Sequence, residues 1–149
     1  MEKVLKFFHL TSREKLAFCR AVYLLLYYRI ALRRQHFQTM VDSLLHAGSS
    51  TFQQTGEPIS VDVLVRLLAV ACRVVPFTTC LSRAMAGQRL LTSYGHASVF
   101  HIGVAREKDL DLEAHAWLSL DGNLILGNIP DLERYRELPP LQAGWSERR

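Results

Sequence analysis

The stretch PFTTCLSRAMAGQRLL, residues 76–91, decides how the chain is read, because it sets one cysteine where a helix begins. Pro76 closes whatever precedes it. Thr78 or Thr79 then offers a side-chain oxygen to the free N–H groups of the next helix. Cys80 falls in the first turn, where the partial positive charge of the helix terminus favours an anion, and Arg83 stands one turn on. A sulfur so placed is a candidate nucleophile. Taken alone, Cys80 reads as one more small buried residue, since buried cysteines are usually inert. What changes the reading lies downstream.

In EAHAWLSLDGNLILGN, residues 113–128, two runs of strand-forming residues flank Asp121-Gly122, a strong hairpin signal. A two-residue loop there opposes Leu120 to Asn123, Trp117 to Leu126 and His115 to Asn128. Opposed residues project from the same face of a sheet. A general base, His115, and an amide able to orient it, Asn128, would then stand side by side. Cysteine, histidine and asparagine make up a thiol-hydrolase triad. Asp121, at the hairpin tip, lies about 20 Å from His115 at roughly 3.3 Å per residue. Asp131 follows Pro130 and is accounted for as a helix cap. Both stay as alternatives for the third position.

Taken together, CLSRAMAGQRLL, the Gly95-His96 step, VFHIGVA and AHAW followed by a short hairpin resemble the stand-alone leader peptidases of lasso-peptide biosynthesis, which are transglutaminase-like cysteine proteases. The resemblance runs from about Ile59 to Leu138. It implies Cys80 as nucleophile and His115 as base; the third position, usually an aspartate in that family, is matched here by Asn128. It also implies a ribosomal precursor peptide as substrate, cut between leader and core, with a separate ATP-dependent cyclase acting on the new amine. Members that act alone carry an extra leader-binding domain. The helices and linker that open this chain show none, so a separate leader-binding protein is expected as partner. No cofactor or metal is implied.

The rest of the sequence bounds these expectations. At 149 residues the chain suits one structural unit. Residues 1–58 read as an N-terminal helical segment and linker, and 59–149 as the peptidase core. Three cysteines, Cys19, Cys72 and Cys80, form neither a disulfide framework nor a zinc spacing, which suits a reducing cytoplasm. The first residues lack the plan of a signal peptide. Arg29, Arg33 and Arg34, followed by His36, are the one basic cluster in a chain of net charge +4. No long basic stripe with stacking aromatics accompanies it, so nucleic acid is not expected. The cluster reads as a solvated helix end that a partner's acidic peptide could also use.

Thr11 and Glu14 form a capping box for a helix to about Arg34. Its Phe18, Tyr23, Leu24, Tyr27 and Tyr28 read as core. The apolar run Ala21 to Tyr28 falls short of the roughly 20 residues of a membrane span, leaving surface contact with a membrane as the lesser alternative. Phe37, Met40, Val41, Leu44 and Leu45 mark a second helix, and residues 48–58 a linker. Ser60 caps a third, buried helix in which Cys72, like Cys19, reads as buried and inert. Gly95 closes the Cys80 helix. His96 to Ala105 reads as a strand, with Gly103 as a candidate bulge and His101 as a packing residue. Residues 106–111 read as a solvated loop, and Asp131 caps a short helix from Leu132 to Leu138.

The order predicts an α+β fold in which the Cys80 helix packs on the small antiparallel sheet, against the face bearing His115. By resemblance this is the transglutaminase-like form of the papain fold. Hydrolysis ranks first, acyl transfer to an amine second, and a catalytically silent peptide-binding scaffold third.

Overall fold

A computed structural model describes residues 10–34, 58–106 and 112–138. The helix expected around Phe37 to Leu45, the linker at 48–57 and the loop at 107–111 lie outside the described residues. Helix α1 spans Ser12–Arg34. It opens on the expected capping box, with the Glu14 N–H donating to Thr11 Oγ1 at 3.3 Å and the Thr11 N–H donating to Glu14 Oε2 at 2.8 Å. The Thr11 N–H, and after it the Thr11 hydroxyl donating to the same oxygen at 2.9 Å, hold the Glu14 carboxyl below its ordinary pKa. Its buried seam is Ala17, Ala21, Leu24, Tyr28 and Ala31, with Leu25 beside it. Spacings of four and three keep these on one face, and the alanines let neighbouring helices come close. Tyr23 and Tyr27, read as core, are instead exposed and stack on each other with ring centroids 6.3 Å apart. No helix among the described residues is long and apolar enough to cross a membrane.

Helix α2, Val61–Val74, packs on α1 through Leu64, Leu67, Leu68 and Ala71. Ser60 stands at its N-cap but makes no side-chain capping bond. Asp62, Arg66 and Arg73 are exposed as expected, yet Val70 and Val74 are exposed too, so the helix is less buried than its composition suggests. Helix α3, Cys80–Ser93, is the hub. It presents Ala84, Met85, Leu90 and Leu91 to a core that also holds the α1 and α2 seams, Ala116 and Leu118. Full burial of a side chain such as Met85 or Leu90 contributes roughly 1.5–3 kcal/mol. Gly95, at φ 82, turns the chain out of α3, and His96 donates its Nε2–H to the carbonyl of Ile59 at 2.8 Å.

The sheet is antiparallel with strand order β3-β2-β1-β4: β1 is Val99–Arg106, β2 Leu112–Leu120, β3 Asn123–Leu126 and β4 Arg136–Glu137. Asp121 and Gly122, at φ 50 and 80, form the two-residue turn with both central residues left-handed. A bulge between Leu118 and Ser119 then shifts the hairpin, so Leu118 pairs with Leu126 rather than Ile125. The pairings of Trp117 with Leu126 and of His115 with Asn128 therefore do not form. Gly103 is not a bulge; it pairs in register with His115. The short helix after Asp131 is a single 3-10 turn, Leu132–Arg134, and the chain continues into β4, which the sequence reading missed.

Alternation along β2 separates two faces. Ala116 and Leu118 belong to the helical core; His115, Trp117 and Ser119 lie on the other face. A Cβ added at Gly87 of α3 would come within 3.0 Å of the Leu118 side chain, so α3 packs on the Leu118 face. The expectation that it covers the His115 face is overturned. Apolar Ala116 and Leu118 can meet a helix without stranding polar groups, whereas the opposite face carries imidazole and hydroxyl groups that need partners.

Candidate active site

Cys80 is the first residue of α3, and its placement follows from a reciprocal cap. Thr79 Oγ1 accepts the Ser82 N–H at 3.2 Å, and Ser82 Oγ accepts the Thr79 N–H at 2.9 Å. A buried serine thus takes the part usually given to glutamate or glutamine. The first intrahelical bond runs from the Arg83 N–H to the Thr79 carbonyl at 3.0 Å. The N–H groups of Cys80 and Leu81 are thus left without intrahelical partners. Donors so oriented suit a developing oxyanion. The Cys80 thiol lies against β2, with Sγ 3.9 Å from the carbonyl of Ala114, the residue before His115.

His115 is 8% exposed. Its Nε2 lies 2.7 Å from the carbonyl oxygen of Gly127. A carbonyl only accepts, so Nε2 carries the hydrogen and, in the neutral ring, Nδ1 keeps the lone pair. The imidazole is walled by Trp117, centroids 6.2 Å apart, and by Tyr135 at 5.6 Å. Its orientation is fixed by one hydrogen bond and two rings.

Gly127 is shaped for this role. Its φ is 89, and an added Cβ would lie 2.7 Å from Trp117 Cβ and 2.8 Å from the Ala116 carbonyl. Only glycine meets both conditions without strain. Asn128 lies beyond the end of β3 and is exposed, and among the described residues no hydrogen bond joins it to His115. Asp121 stays exposed at the hairpin tip. Asp131 makes no cap bond and instead pairs with Arg134 at 3.1 Å. The structure brings Cys80 to the strand of His115, and gives the orienting bond to a main-chain carbonyl.

Among the described residues, strand β3 pairs with Leu118, Ser119 and Leu120, and the Ala114 end of β2 has no strand partner on that side. Alternate carbonyls along a strand point the same way. The Ala114 oxygen that meets the thiol and the Ala116 oxygen that meets Gly127 therefore share this edge. Cys80 arrives at the edge from the helical face, and His115 from the other.

Behind His115 the polar face is closed by His101, found as the packing residue the sequence suggested, and by Glu137, Tyr135, Arg134 and Glu113, which sequence reasoning missed. His101 stacks on Trp117, centroids 5.5 Å apart at 8°, and uses Nδ1 on the Glu137 carboxylate and Nε2 on Ser119 Oγ at 2.6 Å. Gly103 lets the Trp117 ring lie flat on β1, since a Cβ there would fall 2.8 Å from Cη2. Tyr135 donates to Glu113 at 3.1 Å, and Arg134 donates to the same carboxylate oxygen at 2.7 Å. Lost hydration and then the Glu113 bond raise the Tyr135 pKa, so its hydroxyl stays a donor. The signal available in the sequence was the alternation of His101 with Gly103 and of His115 with Trp117 and Ser119.

With this geometry, the match to a family model is decisive: residues 23–139 fit the one described as the transglutaminase-like superfamily. The chain belongs to the transglutaminase-like superfamily. The match covers residues 23–34 of α1 and every other described element. Neither the curated proteins nor the solved structures offer a match. A transglutaminase-like domain of mixed helices and a small antiparallel sheet fits the chemistry of a cysteine peptidase or acyltransferase.

Proposed function

We propose that this protein is a cysteine peptidase that removes the leader from a ribosomal lasso-peptide precursor, working with a separate leader-binding protein. The observation that carries the reading is the contact of Cys80 Sγ with the carbonyl of Ala114, next to His115, in a transglutaminase-like chain. Motif resemblance around CLSRA and AHAW supports the finer assignment.

In this reading Cys80 sulfur attacks the scissile carbonyl carbon and its proton passes to Nδ1 of His115. The Gly127 carbonyl holds Nε2–H throughout. The N–H groups of Cys80 and Leu81 face the oxyanion, where losing one donor costs on the order of 3 kcal/mol. Collapse breaks the C–N bond as His115 gives its proton to the leaving amine. Water, deprotonated by His115, then cleaves the thioester, releasing a carboxylic acid and the free thiol. Asn128 follows the orienting carbonyl in sequence and stays exposed, so this scheme gives it no step.

Mass spectrometry of a precursor peptide incubated with the protein and its leader-binding partner tests this. Two fragments meeting at the leader-core junction, gaining one water between them, are expected. Their absence with wild-type protein, or their persistence with Cys80→Ala, would contradict it.

A further inference from the structure

A cavity of about 480 Å³ opens beside the first turn of α3. Arg29, Leu32 and Arg33 of α1 line one side; Phe77, Thr79, Leu81 and Ser82 line the other. Thr79 and Leu81 flank Cys80 in sequence, so the cavity and the thiol share one helical turn. The thiol faces β2 and the cavity faces α1.

Two independent features mark it as a binding site. First, its charge is one-sided: among the described residues neither Arg29 nor Arg33 has a carboxylate partner. Arg33 fits the last turn of α1, where cations complement the helix dipole. Arg29 stands a turn earlier, half-buried, with its guanidinium 5.5 Å from the centroid of the Phe77 ring. A guanidinium held against an aromatic face keeps its planar fork available for a carboxylate. Second, Phe77 is 80% exposed and has φ 58. A bulky side chain in the left-handed region is an outlier, and such strain gathers at ligand clamps. Here it holds an aromatic ring out in solvent at the mouth of a cationic cavity.

We propose that this cavity is a specificity subsite for an acidic side chain of the substrate peptide. The carboxylate pairs with Arg29 and Arg33, and an adjacent apolar residue covers Phe77. A strand advances about 3.3 Å per residue and a helix with its side chains is about 10 Å wide. The acidic residue therefore sits about two to three positions from the scissile bond. The inference rests on Cys80 being the nucleophile of a peptide-cleaving site, but its test does not require turnover.

The full-length Cys80→Ala protein is titrated into fluorescein-labelled octapeptides of glycine, serine and leucine. One Glu is moved through the positions, each peptide has a Gln counterpart, and fluorescence anisotropy gives the affinity. At one or two positions Glu should bind about 10-fold more tightly than Gln. Arg29→Gln combined with Arg33→Gln should bring the ratio to within about twofold, while Arg73→Gln, on an exposed position of α2, should leave it intact. Arg33 is exposed, so Arg33→Gln alone reports a partial loss even if the double variant fails to fold. Equal binding of Glu and Gln peptides, or a preference that survives removal of both arginines, overturns the subsite. Cleavage surviving in Cys80→Ala would defeat the catalytic assignment instead and leave the binding ratio untouched.

Discussion

His115 donates its Nε2–H to the main-chain carbonyl of Gly127 across 2.7 Å, and this bond, rather than a side-chain acceptor, sets the imidazole. A main-chain acceptor cannot be removed by changing its own side chain. It can be displaced by making its backbone conformation untenable, and Gly127 allows this because its φ of 89 and its tight contact with Trp117 both exclude a Cβ.

Gly127→Ala is therefore expected to cost about 1–3 kcal/mol of stability. It should also lower kcat/KM by roughly 100-fold, on the scale of a general-base contribution. Asn128→Ala should keep kcat/KM within about threefold, because a 1.4 kcal/mol effect would already be tenfold. Urea midpoints together with initial rates check both. A damaging Asn128→Ala beside a tolerated Gly127→Ala would return the orienting role to the side chain.

The sequence was legible where local chemistry decides. The capping threonine before Cys80, the Gly95 stop and the Asp121-Gly122 turn are each set by one or two residues, and each is found in place. The bulge at Leu118/Ser119 was not legible, because one extra residue in a ladder answers to the packing of both faces. That single shift moves Asn128 out of register with His115. The side of the sheet on which α3 packs was encoded in the alternation of Ala116 and Leu118 against His115, Trp117 and Ser119. The motif logic of placing nucleophile and base on one face obscured it; Cys80 instead meets the Ala114 carbonyl, one residue before His115. Tyr23 and Tyr27 were misread because aromatic content does not say which stripe of a helix is covered.

Gly103→Ala probes the wall behind the site. The new Cβ would sit 2.8 Å from the Trp117 ring and 2.9 Å from Tyr135 Cβ. Overpacking of this kind costs about 1–3 kcal/mol. Because Trp117 and Tyr135 both flank His115, a drop in kcat with a shifted tryptophan emission is expected. Unchanged emission would show that the ring has room to move.

Cys19 and Cys72 should differ in reactivity. Cys19, read from the sequence as buried, is instead exposed, whereas Cys72 is half-buried and burial pushes its thiol pKa up. A raised pKa leaves less thiolate at neutral pH, so iodoacetamide should label Cys72 more slowly than Cys19, and its rate should keep climbing above the ordinary thiol range. Peptide mapping by mass spectrometry reads this directly. Cys19→Ala and Cys72→Ala should retain turnover, the latter with a modest stability loss from the small cavity.

The N-terminal helix α1 commits Ala17, Ala21, Leu24 and Tyr28 to the core, so its buried seam is a packing surface rather than a leader-binding one. In the proposed reading a separate protein supplies recognition of the leader. Tethering the precursor should accelerate cleavage, with a ceiling of the order of 10²–10⁴-fold from effective concentration. Time courses with and without that protein measure the gain, and full-speed cleavage by the isolated chain would remove the partner from the account.

Intact-protein mass spectrometry on the acid-quenched reaction tests the central claim most directly. Wild-type protein mixed with precursor should show an adduct with the mass of the leader acyl group, mapping to the peptide that contains Cys80 and labile to hydroxylamine. Cys80→Ala should show neither adduct nor cleavage. Cleavage by Cys80→Ala, or an acyl group mapped to any other residue, would contradict Cys80 as the nucleophile.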